Sequence, residues 1–178
     1  MRQSGIIVLL ALALSAPALA GNGVAVSTTH FRFEGDAGSR ALIKNLARVA
    51  EQKWRYVEQV LGPVDAAPIT VVVASTNESM ARATGSTHWS QAWIAGVARP
   101  NQRHMVLSAR GDGFFNVTDT FVHELTHIAL RDATAGHPTP LWFQEGVAML
   151  LASEESGERL KTLFSAAATN SSAWRRRM

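Results

Sequence analysis

Ile43, Leu46, Ala50, Trp54, Val57 and Leu61 recur at intervals of three and four, which places them on one face of a long helix. Gly62-Pro63 marks its end. Ahead of it, Val24 to Glu34 alternates Phe31 and Phe33 against Arg32 and reads as an extended segment. Behind it, Ile69 to Ala74 is a β-branched run that predicts a buried strand. Ser75 and Glu78 stand at capping-box spacing and predict the start of a short helix. Gln91 to Ala98 and Arg103 to Ala109 read as a hairpin around Arg99-Pro-Asn-Gln102, and Gly111-Asp112-Gly113 as a loop. Three helices are expected next. One runs from Val117 to Asp132, capped by Asn116, with Gly136 and Pro138 beyond its end. One begins at Pro140 with Thr139 as its N-cap. The last carries Leu160, Leu163 and Phe164 on one face. Strand, helix, strands and then helices, without an internal repeat, predict an α+β fold in one domain.

The N-terminus departs from this globular pattern. Arg2, the apolar run Ile6 to Ala16, Pro17 and the small-residue site Ala18-Leu19-Ala20 form an export signal over 1–20, with a mature chain from Gly21. The run is too short to span a bilayer comfortably, so no stable membrane insertion is expected after cleavage, and a periplasmic or secreted location is. The folded domain is assigned to 21–170 and a basic, solvated tail to 171–178. Arg2 and the tail residues Arg175, Arg176 and Arg177 supply four of 17 basic residues against 14 acidic ones, so the remainder carries a net charge of −1. No basic stripe with interleaved aromatics is present, and nucleic acid is not an expected partner. The chain has no cysteine, which excludes disulfides, a cysteine nucleophile and thiolate metal sites.

His123-Glu124-Leu125-Thr126-His127 is an HExxH sequence. On a helix, positions four apart share a face, so the two imidazoles can share one metal while Glu124 stands beside them. Val117, Phe121, Val122, Leu125, Ile128 and Ala129 cluster on the opposite side, which turns the histidines away from the core. A catalytic zinc needs a third protein ligand and an open position. The metzincin pattern would put glycine at 130 and histidine at 133, where Leu130 and Ala133 stand. His137 lies in the loop after the helix. Glu145 fits better, because it sits on the next helix after a short connection. Gly146 follows it, and a glycine within a helix suggests close approach to the histidine helix. Trp142, Phe143 and Met149 are expected in the core, and Trp89 and Trp93 either line a groove or pack the hairpin.

Residues 121–130, with HELTH at their centre, and Pro140-Leu-Trp-Phe-Gln-Glu-Gly-Val-Ala148 together resemble the peptidase MA-like family of gluzincin zinc metallopeptidases. The resemblance implies a zincin fold, in which a small twisted sheet packs on the active-site helix. It also implies one zinc held by His123, His127 and Glu145, with Glu124 as the catalytic base acting on peptide or protein substrates. The hairpin strand Gln91 to Ala98 is the expected edge for a peptide to join, and proline at Ala95 or Val97 is expected to impair cleavage if that residue's N–H faces the substrate. The sequence departs from larger gluzincins in its support for the oxyanion. Its single tyrosine, Tyr56, precedes the motif and no histidine follows His137, so the residue that steadies the oxyanion is left to His88, His104, His137 or Arg131, or to the metal alone. That gap also admits a zinc-stabilised binding module without turnover.

Overall fold

The computed structural model describes residues 23–90, 94–110 and 116–152. The export signal, Trp93, the Gly111-Asp112-Gly113 loop, the last expected helix with Leu160, Leu163 and Phe164, and the basic tail lie outside these residues. The chain forms β1 (Val24–Ser27), β2 (Phe31–Gly35), α1 (Arg40–Leu61), β3 (Ile69–Ala74), α2 (Asn77–Thr84), β4 (Gly96–Arg99), β5 (His104–Ser108), α3 (Val117–Ala133) and α4 (Leu141–Ala152).

The strands make one sheet in the order β1-β2-β3-β5-β4. The central pairs β2–β3 and β3–β5 are parallel, because α1 and then α2 with β4 carry the chain back between them. The outer pairs β1–β2 and β4–β5 are antiparallel hairpins. Period-two alternation sorts the two faces. Phe31, Phe33, Ile69, Val71, Val73, Met105 and Leu107 meet the buried faces of α1 and α3 in the main core. Val72, Ala74, Val97 and Val106 turn the other way, onto Met80 of α2. The fold is thus a single α+β domain with a mixed sheet between helical layers, as the order of elements predicts. No helix among the described residues is long and apolar enough to cross a membrane.

Three local expectations are corrected. The segment from Val24 to Glu34 is two strands, since the chain turns at 28–30 and Thr28 N–H donates back to the Phe31 carbonyl at 2.9 Å. The capping box lies one residue on from Ser75 and Glu78: Thr76 and Ser79 exchange the two bonds, a serine hydroxyl serving where a carboxylate was expected. Trp142 and Met149 are 75% and 67% exposed, and Phe143 is only partly buried. The α4 helix is apolar nearly all round, and it seats Val147, Ala148 and Leu151 rather than its tryptophan.

Candidate metal centre

The α3 helix starts where the Asn116 side chain accepts the Thr118 N–H at 2.9 Å. Phe121, Val122, Leu125, Ile128 and Ala129 are buried against the sheet and α1. This seating leaves His123 and His127 on the opposite side, half-buried. After α3 the chain reverses through Ala135 and Gly136, both with positive φ, and α4 returns along it. The reversal brings Glu145 over the histidine pair.

The His123 and His127 Nε2 atoms are 3.2 Å apart. Glu145 Oε2 lies 3.3 Å from His123 Nε2, and Glu145 Oε1 lies 3.6 Å from His127 Nε2. One ligand atom from each of the three residues falls within 4.8 Å of the others, so His123, His127 and Glu145 form a group that can hold a metal ion. Burial, and then the adjacent His123 ring, hold the His127 imidazole below its ordinary pKa against the opposing pull of Glu145. That favours the neutral ring, the form that ligates metals. Glu145 keeps 46% of its side chain exposed, so the group opens to solvent. His137, the other sequence candidate for a third ligand, borders a neighbouring recess instead.

Glu124 is only 6% exposed. Burial pushes its carboxyl up to about 8; the Glu145 carboxylate pushes the same way, and the Ala98 N–H it accepts opposes both. Its position depends on β4. A Cβ built on Gly96 would lie 2.7 Å from Glu124 Oε1, 2.9 Å from its Cγ and 2.9 Å from Thr120 Cγ2. Only glycine leaves room for Glu124 there. Sequence reading gave Gly96 no such role, although a lone glycine within a strand signals close approach of another group. Gly146, which was assigned that role, has nothing within 4 Å of an added Cβ. It faces open space because α4 approaches α3 on another side, through Val147, Ala148 and Leu151.

A cleft of about 800 Å³ runs along α3 between β4 and α4, and includes Trp89, Gly96, Asp119, His123, Glu124 and Glu145. The β4 strand is the sheet edge beside it. Ser108 N–H donates to the Ala95 carbonyl at 2.8 Å, so by antiparallel alternation Ala95, Val97 and Arg99 face β5, while Gly96 and Ala98 turn their backbone groups to the open edge. The edge expected from sequence is there, but displaced by one residue. Among the residues considered for oxyanion support, His104 lies on the α2 side of the sheet with Val106, and His88 packs edge-on to Trp89 at 5.1 Å. Arg131 and His137 border the recess beyond His127. Comparison with family models, curated proteins and solved structures finds no match.

Proposed function

We propose that this chain is an exported zinc peptidase of the gluzincin type, in which His123, His127 and Glu145 hold the metal and Glu124 moves the protons. The observation that carries this reading is the convergence of three metal-ligating groups beside a buried carboxylate at an open strand edge. The resemblance of 121–130 and 140–148 to the peptidase MA-like family supports the same reading.

Two imidazoles and one carboxylate suit zinc, and three protein ligands leave a position open, as in catalytic rather than structural sites. One ligand atom from each of the three residues lies within 4.8 Å of the others, close enough to share one ion. Zinc, when bound, supplies Lewis acidity toward a peptide carbonyl and lowers the pKa of water. Glu124 accepts a proton from the attacking water at its carboxylate and delivers it to the leaving amine. A dication at the three donors favours the carboxylate form of Glu124, countering burial and Glu145. The Ala98 N–H steadies that carboxylate, and Gly96 gives it space. Peptide backbone joins the edge of β4 through the Gly96 groups and the Ala98 carbonyl, the Ala98 N–H being held by Glu124.

Four purified variants test this assignment. Alanine at His123, His127 or Glu145 is expected to lower zinc content and peptide cleavage together. Glu124→Gln is expected to keep zinc near one per chain and to lose about 100-fold or more in turnover. Unchanged turnover in Glu124→Gln would sink the mechanism. Full zinc retention in Glu145→Ala would move the third ligand elsewhere. A parent protein that binds zinc but cleaves no peptide would be the binding module.

A further inference from the structure

Asp119, His123, His127 and Arg131 follow one another at intervals of four along α3, so they form one stripe on the helix. The two ends of that stripe carry opposite charge. Asp119 borders the main cleft. Arg131 borders a recess of about 400 Å³ that continues past His127, with Pro100 and Gln144 shared between the two spaces. No carboxylate lines this recess.

The Arg131 guanidinium is held but not neutralised. Its Nε donates to Asn101 Oδ1, on the turn between β4 and β5. Among the described residues, neither of its Nη groups has an acceptor. Its sequence neighbour Asp132 is committed to Arg103 at 2.7 Å, with both side chains largely buried. The Arg99 guanidinium donates to the Thr84 carbonyl and is directed toward α2. Arg131 therefore offers a free pair of parallel N–H donors, the fork that matches a carboxylate.

We propose that Arg131 is a specificity residue of the cleft and holds a carboxylate of the peptide substrate; this rests on the peptidase reading above. Four residues advance about 6 Å along a helix, and an extended peptide advances about 3.4 Å per residue. Arg131 thus addresses the substrate about two residues from the scissile bond. The β4 strand and α3 advance in the same direction, with Gly96 beside Glu124 and Asn101 beside Arg131. A substrate antiparallel to β4 presents its N-terminal part to Arg131, and the carboxylate is then an Asp or Glu side chain. A parallel substrate presents its C-terminal part, and a free α-carboxylate can serve.

The test compares the zinc-loaded parent with Arg131→Gln on peptides in which Glu or Gln is stepped through each position, with the C-terminus free or amidated. The parent is expected to favour one carboxylate by about 10- to 100-fold in kcat/KM, the scale of charge-assisted hydrogen bonds. Arg131→Gln should erase that preference, so that carboxylate peptides and their neutral counterparts are cleaved at equal rates. Preference tied to an internal Glu identifies the side chain, and preference lost on amidation identifies the α-carboxylate. Charge-blind cleavage by the parent, or equal loss on every peptide in the variant, overturns the subsite and leaves the peptidase intact. If the parent cleaves none of the peptides, calorimetric binding of the same set decides. Arg131-dependent preference for a carboxylate then keeps the subsite and removes the peptidase, whereas charge-blind binding, or none, removes both.

Discussion

Gly96 lies against Glu124 and Gly146 follows Glu145 in sequence, yet the two are under opposite constraints. A methyl at Gly96 meets Glu124 and Thr120 at less than 3 Å, and the side chain able to yield is Glu124. Gly96→Ala is therefore expected to displace the carboxylate from the Ala98 N–H, leaving zinc near one per chain while turnover falls by about 10-fold or more, part of what a positioned acid–base group contributes. Gly146→Ala meets open space, so it is expected to retain turnover and to gain up to about 1 kcal/mol from helix propensity. Zinc analysis, cleavage rate and melting temperature on both variants check the pair, and full activity in Gly96→Ala would remove its positioning role. The contrast also marks how far single residues are legible. His123, Glu124, His127 and Glu145 could be read from the chain because helical spacing and a short connection determine what they meet. The meaning of a glycine depends on what a distant element places opposite it, and the sequence reading assigned that meaning to the wrong one.

At the scale of elements, α1 and α3 were legible because each buries one continuous stripe, with Leu61 and Val117 at the ends left only partly covered. Turns without glycine or proline were not: nothing at 28–30 announces the break between β1 and β2. The surface of α4 was not legible either, because a helix whose only polar side chains are Gln144 and Glu145 does not declare which of its apolar sides is covered, and so Trp142 was misplaced. Register in β4 needed the structure, since a shift of one residue exchanges the groups facing β5 with those facing the edge. That register changes the expected result of backbone substitution. Proline at Ala95 or Val97 removes an N–H turned toward β5, so it tests the sheet rather than the substrate. The informative change lies in the peptide. N-methylation stepped along a cleaved peptide is expected to lower kcat/KM at alternate residues, by about 5-fold for each bond of about 1 kcal/mol removed. Sensitivity without that period of two would mean that the substrate does not join β4 as a strand.

Across the molecule, the candidate site and a second, multiply bonded carboxylate, Glu51, sit at opposite ends of the sheet. The site is built from β4, α3 and α4, whereas Glu51 ties the β1–β2 turn to α1. Its Oε1 accepts Thr28 Oγ1 at 2.6 Å and the His30 N–H at 2.9 Å, and its Oε2 pairs with His30 Nδ1 at 2.7 Å. The His30 ring stacks on Trp54 at 4.2 Å, which seats this clasp on the main core. Burial alone would raise the Glu51 pKa, but the bonds from Thr28 and His30 together outweigh it and hold the carboxyl below its ordinary value. A depressed folded-state pKa adds stability that is complete above the unfolded value near 4.5 and is lost as pH falls through the lower, folded one. Glu51→Ala is expected to cost roughly 2 kcal/mol at pH 7, the scale of hydrogen bonds to a charged group. The difference in melting temperature between parent and variant should then narrow as pH drops below about 4.5, the ordinary carboxylate range. Glu51→Gln keeps an acceptor without the charge, so it should lose less at pH 7 and show a flatter acid limb than the parent. Thermal melts of the three proteins from pH 7 to pH 3, followed by circular dichroism so that no catalytic readout is needed, check this. A gap between parent and Glu51→Ala that stays constant over the range would place the acid sensitivity on other carboxylates, with Asp36 the next to examine, because its bonds to Ser39 and Ser75 likewise outweigh burial and hold its carboxyl down.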